Sequence, residues 1–237
     1  MRSRTLFVLC FVVAPLVLLG IELFHPANFT DSPGAYQYLS QPEPYDPAHD
    51  ALAYPGPEWW FRLHMIQTPL VGLVAVGLWL IVGRVRHGDG VLAVMLAWLS
   101  RAATFVFLIY YTCLDAIGGF GLARAILNAQ ALAAKGLLSP DQLKGVALVL
   151  DADWRDEWVG GVGSFISLVG SWAVFAAAAS GALALLLSRR IAWPPLILLI
   201  AFGWELQLSH ASPHGPIAFG LLLLFAIWIW LTDRARA

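Results

Sequence analysis

Six long apolar runs leave this chain little choice of fold. They lie near residues 5–24, 65–83, 92–117, 162–187, 193–209 and 216–232. The hydrocarbon core of a bilayer is roughly 30 Å thick, a depth that about 20 helical residues cross. Backbone N–H and C=O groups in lipid must find partners within their own segment, and a helix supplies them. Each run is therefore predicted to be a membrane helix, the fifth being short. Of the 237 residues, 59% are hydrophobic and 12% charged, about half the charge fraction of a soluble domain. The chain reads as an all-α, polytopic membrane helix bundle of six transmembrane helices, a single integral membrane domain over 1–237.

Arginine placement sets the expected orientation, because Lys and Arg concentrate in cytoplasmic loops. Arg2 and Arg4 precede the first run, and Arg84 and Arg86 separate the second from the third. Arg189 and Arg190 separate the fourth from the fifth, and Arg234 and Arg236 follow the sixth. These clusters alternate as six crossings require, with both termini inside (N-in/C-in). The opposite loops, 25–64 and 118–161, hold ten carboxylates against five Lys or Arg. No small-x-small cleavage motif closes the first run, so an uncleaved helix is expected there. Arg101 sits inside the third run; either the helix begins near it or the side chain snorkels to the inner headgroups.

The outer loops carry structure of their own. Residues 121–135 read as a helix. Ser139-Pro140-Asp141-Gln142 supplies an N-cap, a proline at the first helical position and a capping-box glutamine for a second helix over 140–151. This short helical hairpin is expected on the outer surface, where membrane-protein partners could dock. Trp59, Trp60, Trp154 and Trp158 are expected at headgroup level. Loop 25–64 contains Pro33, Pro42, Pro44, Pro47, Pro55 and Pro57, and is expected to be irregular and to lie over the bundle mouth. Asn28-Phe29-Thr30 forms a glycosylation sequon in that loop, and His49 and His87 read as solvated. Ala173, Ala177 and Gly181 make a small-residue stripe suited to close helix packing.

Four of the six histidines, His25, His64, His210 and His214, fall at the outer helix ends with Glu22, Asp115 and Glu205. Ionisable groups at that depth are costly and usually face a bundle interior or wet cavity. Glu22 and His25 are three residues apart, as are His64 and Gln67, Thr112 and Asp115, and Gln207 and His210, so each pair shares a helix face. Neutral imidazole is a common ligand for zinc, copper and iron, and three histidines with a carboxylate or water suit an open catalytic site. The candidate metal ligands are His25, His64, His210, His214, Glu22 and Asp115. Gln67, Glu205 and Gln207 are further polar groups of the same region. The implied cofactor is a transition metal (Cu, Zn or Fe). A single Glu-x-x-His, Glu22 to His25, falls short of a four-carboxylate di-iron centre.

His210-Ala-Ser-Pro-His214-Gly-Pro216 is the most specific motif: two histidines on a proline-stiffened turn with few conformations to lose. Glu205 is expected to pair with a cation or histidine, or to belong to a proton path. Asp115 is expected to face the interior, with Gly118 and Gly119 allowing a sharp exit or a close backbone approach. The blander reading has these side chains capping helix ends or meeting headgroups.

Three functions fit: a metal-dependent membrane enzyme or redox protein, a proton-coupled small-solute transporter, and an accessory subunit of a membrane complex. Walker A, Gly-x-Gly-x-x-Gly and Gly-x-Ser-x-Gly motifs are absent. A net charge of -1 gives no sign of nucleic-acid binding. Cys10 and Cys113 lack paired spacing and read as packed apolar thiols. Transport is disfavoured because no internal repeat is evident and the polar groups crowd one leaflet. The expected location is a bacterial inner membrane, crossed several times.

Overall fold

A computed structural model describes residues 4–26, 34–41 and 52–235. The sequon at Asn28, Pro33, Pro42, Pro44, Pro47, His49, Arg2 and Arg236 lie outside the described residues. Among the described residues there are eight helices and no strand: α1 Arg4–Glu22, α2 Ala35–Leu39, α3 Pro57–Ile81, α4 Val91–Ala134, α5 Pro140–Trp154, α6 Phe165–Leu187, α7 Trp193–Leu208 and α8 His214–Ala235. Five of them (α1, α3, α4, α6 and α8) are long and apolar enough to cross a membrane, and α7 is a shorter apolar helix of 16 residues. The chain is a polytopic membrane protein.

The six apolar helices close into a ring. Each packs on two neighbours, in the order α1, α3, α4, α6, α7, α8 and back to α1. Large apolar side chains fill the middle, among them Phe11, Leu78, Phe107, Leu199, Phe219 and Phe225, all fully buried. Leu16, Phe105, Trp172, Ile197 and Leu224 point outward. Apolar exposure on that scale would be a liability in water and suits lipid. The small-residue stripe explains the tightest pairing, α4 on α6. A Cβ at Gly181 would sit 2.8 Å from the Ser100 hydroxyl oxygen, and that hydroxyl donates to the Ala177 carbonyl at 2.8 Å. Cys10 is buried as expected, whereas Cys113 lies exposed on α4, turned away from the ring.

α4 begins ten residues before Arg101, so the helix does not start there. The guanidinium instead lies over the Trp98 and Trp79 rings, 4.9 and 5.9 Å from their centroids. At the same end of the bundle, Asp89 accepts from Arg190 at 3.2 Å and joins the α3–α4 connection to the α6–α7 connection. His87 is exposed there, as expected.

The opposite end carries a cap. Beyond Leu114, α4 passes through a widened π-type turn, Asp115–Gly121, into a terminal arm, Leu122–Ala134. α5 follows with both hydrogen bonds of the expected capping box: Gln142 N–H to the Ser139 hydroxyl at 3.2 Å, and Ser139 N–H to Gln142 Oε1 at 2.8 Å. The described part of the first loop includes one short helix, α2. α2 docks on α5, and Tyr36 N–H donates to Asp151 at 2.9 Å. A small second core holds this cap together through Ala35, Leu39, Trp60, Ile126 and Trp154. Trp60 and Trp154 are therefore interior walls rather than headgroup anchors, Trp59 is half-buried, and Trp158 is the one of the four that is exposed.

Candidate metal centre

Three imidazoles converge where the ring meets the cap. His64 lies about two turns into α3, one turn beyond Trp60. Its Nδ1 is 2.8 Å from the Trp60 carbonyl, while the Trp60 indole N–H donates to the Gly118 carbonyl at 3.0 Å. His25 follows the end of α1, with Nδ1 2.9 Å from the Pro26 carbonyl. Two contacts fix that segment: Trp59 Nε1 donates to the Phe24 carbonyl at 3.2 Å, and Ser212 N–H donates to the His25 carbonyl at 3.4 Å. His210 comes from the turn between α7 and α8. Gly215 lets that turn close, since a Cβ there would lie 1.7 Å from the His210 carbonyl oxygen.

His25, His64 and His210 each offer a ring nitrogen within 4.8 Å of the other two. Carbonyl oxygens can only accept, so at His25 and His64 the ring proton sits on Nδ1 and leaves Nε2 with a bare lone pair. The His25 Nε2 is buried with no partner. A second nitrogen oriented by a carbonyl or carboxylate is common among ligating histidines. Burial, and then His210 and His64, hold the His25 ring well below its ordinary pKa; burial holds His210 down to about 4. Both rings are neutral near pH 7, as metal ligation requires. A point equidistant from three atoms so spaced lies within about 2.8 Å of each, so contraction to about 2.0–2.1 Å takes less than ~1 Å of movement per ring. The three buried histidines are able to hold a metal ion.

Asp115 opens the π-type turn and is buried beside them. The Thr68 hydroxyl lies 2.8 Å from both Asp115 Oδ2 and the His64 carbonyl, and its single proton serves one of them at a time. Asp115 Oδ1 has no partner. The turn is where α4 must pass His64. Gly119 leaves helical geometry at φ -87°, ψ -105°, and π-type turns recur at functional sites. Histidines, Asp115, Trp60 and Trp154 surround a cavity of about 30 Å³, room for an ion or a water.

Glu22 is wholly buried, and neither carboxylate oxygen has a partner. The Gln67 amide donates to the Tyr111 hydroxyl at 2.6 Å, and its carbonyl oxygen is unpartnered, as is that of Gln207. The Tyr111 ring packs against His210, with centroids 5.4 Å apart. His214 does not join the other three histidines. α8 begins at His214 and runs back along α7, so its Nδ1 meets Glu205 Oε2 at 2.8 Å. Glu205 thus has the histidine partner that its position suggested. Trp60, Thr68, Tyr111 and Trp154 were not singled out as site residues. Trp60 carried a signal, lying four residues before His64 on one helix face.

Comparison with protein-family models, with curated proteins and with solved structures gives no match, so the chemistry of the site must be read from its own geometry.

Proposed function

We propose that this chain is a metal-dependent membrane enzyme, with a transition metal held by His25, His64 and His210 and Asp115 as its proton acceptor. The observation that carries this reading is the pair of buried imidazoles whose Nδ1 atoms are tied to main-chain carbonyls, facing a third imidazole across a small cavity. The three imidazoles would hold the metal, which would supply Lewis-acid chemistry toward a carbonyl or a water. The chain's own residues supply the rest. The unpartnered Asp115 Oδ1 lines the same cavity and is free to accept a proton, while Thr68 holds the other oxygen. Trp60 and Trp154 wall the cavity, which has room for one water beside the ion-binding rings. This favours hydrolysis of an ester or amide over redox chemistry.

The arginine clusters support six crossings with both termini inside, α7 being the short sixth, a reading in which the site faces the outer leaflet. A transport path would need polar groups through the remaining depth, where the described residues pack Phe11, Leu78, Phe107 and Phe219. A panel of nitrophenyl esters and anilides tests the reading. Zinc-loaded protein should hydrolyse at least one of them, with activity lost on chelation and in Asp115→Asn. Turnover that survives chelation, or an Asp115→Asn variant as active as wild type, would overturn it.

A further inference from the structure

A second cavity lies against the first, and Trp154 and Gly118 are walls of both. It measures about 280 Å³, near the lower end of the ~300–1,000 Å³ typical of ligand pockets. The lining differs sharply from that of the histidine cavity. Ile117, Leu122, Ala125 and Leu150 line it with the Trp154 ring and four glycines, and Asp153 is its one ionisable group. Asp153 is exposed, and so is Ile117. The partition is one indole thick. Glycines flank it: a Cβ at Gly118 would come 3.0 Å from Trp154 Cζ3, and one at Gly161 2.3 Å from Cζ2. Side chains are thus kept away from both edges of the ring.

We propose that this cavity is the binding site for the apolar tail of an amphiphile whose compact polar head sits at the histidines. The proposal rests on the metal reading for the head and on the second cavity alone for the tail. Size and polarity divide the ligand. The 30 Å³ space among histidines and Asp115 admits only a small polar group. The larger space offers apolar contact, where each buried methylene strengthens binding by about 0.8 kcal/mol or roughly fourfold. Ile117, exposed at its margin, marks the side from which an apolar tail would enter. Trp154 is then the specificity-determining wall, setting the distance between head and tail.

The test uses octanohydroxamate, a metal-chelating head on an apolar tail, with a diazirine at the tail end. Full-length, zinc-loaded protein in phosphatidylcholine nanodiscs is photolabelled and mapped by mass spectrometry. Label should fall within 117–125 and at Leu150. Excess octanohydroxamate should compete with it, and acetohydroxamate, which has the head alone, should compete about tenfold less well or worse. Ala125→Trp and, separately, Leu150→Phe fill the cavity and should each reduce this label several-fold, while acetohydroxamate binding stays unchanged. Label confined to lipid-facing positions such as Phe105 and Trp172, or label indifferent to both variants, would overturn the proposal. Label in the cavity that is equally strong after metal removal would sustain the tail site and count against the metal as head anchor.

Discussion

His64 and Gly119 touch so closely that a Cβ at position 119 would sit 2.4 Å from the imidazole Cδ2. The contact ties the α4 turn that carries Asp115 to the helix that carries His64. Gly119→Ala must displace the ring or the turn. Zinc affinity, measured by chelator competition, should weaken by ~10–100-fold, the loss seen when a ligand's supporting shell is disturbed. Gly20→Ala, with nothing within 4 Å of its Cβ, should bind zinc as wild type does. Equal affinities for the two variants would contradict the role given to Gly119.

The capping box of α5 is held separately from the metal centre. Ser139→Ala removes the acceptor of the Gln142 N–H, a cap worth about 1 kcal/mol. For a chain of this size that corresponds to a fall in Tm of about 2–4 °C, read by thermal unfolding in detergent. Metal content should not change. A variant that melts normally would contradict the contribution of the cap, and one that loses metal would contradict its separation from the centre.

Much of this architecture was legible in the sequence because bilayer physics is blunt. Apolar run length fixed the five long helices, and the Ser139–Gln142 spacing located α5 to within a turn. The meeting of His25, His64 and His210 followed from a shared depth, since polar groups at a bilayer edge have few places to go but inward. Finer direction was not legible. His214 lies only four residues from His210, yet the start of α8 between them turns it to Glu205. The sequence suggested that this turn would present both. Trp60 and Trp154 were expected at the headgroups, as aromatic residues near helix ends usually are. The cap formed by α2, α5 and the terminal arm of α4 buries them instead, and nothing local to a tryptophan records which loop will cover it.

At the other end, the pairing of Asp89 with Arg190 should be visible in acid. The Arg86 N–H, and after it the Arg190 guanidinium, hold the Asp89 carboxyl below its ordinary pKa. A carboxyl with a depressed folded-state pKa adds stability that is fully present above the unfolded value of about 3.9 and is lost as pH falls through the folded one. The Tm difference between wild type and Asp89→Asn should therefore be constant from pH 8 to about 5 and shrink below about 4. A difference that widens on acidification would reverse the sign and exclude the pairing as its source.

The central claim is that His25, His64 and His210, and not His214, hold a metal. Metal counted by inductively coupled plasma mass spectrometry on purified protein tests it most directly. Wild type and His214→Ala should each carry close to one transition-metal ion per chain, and the variant with alanine at positions 25, 64 and 210 should carry almost none. Wild type without stoichiometric metal, or a triple variant that retains it, would contradict the claim.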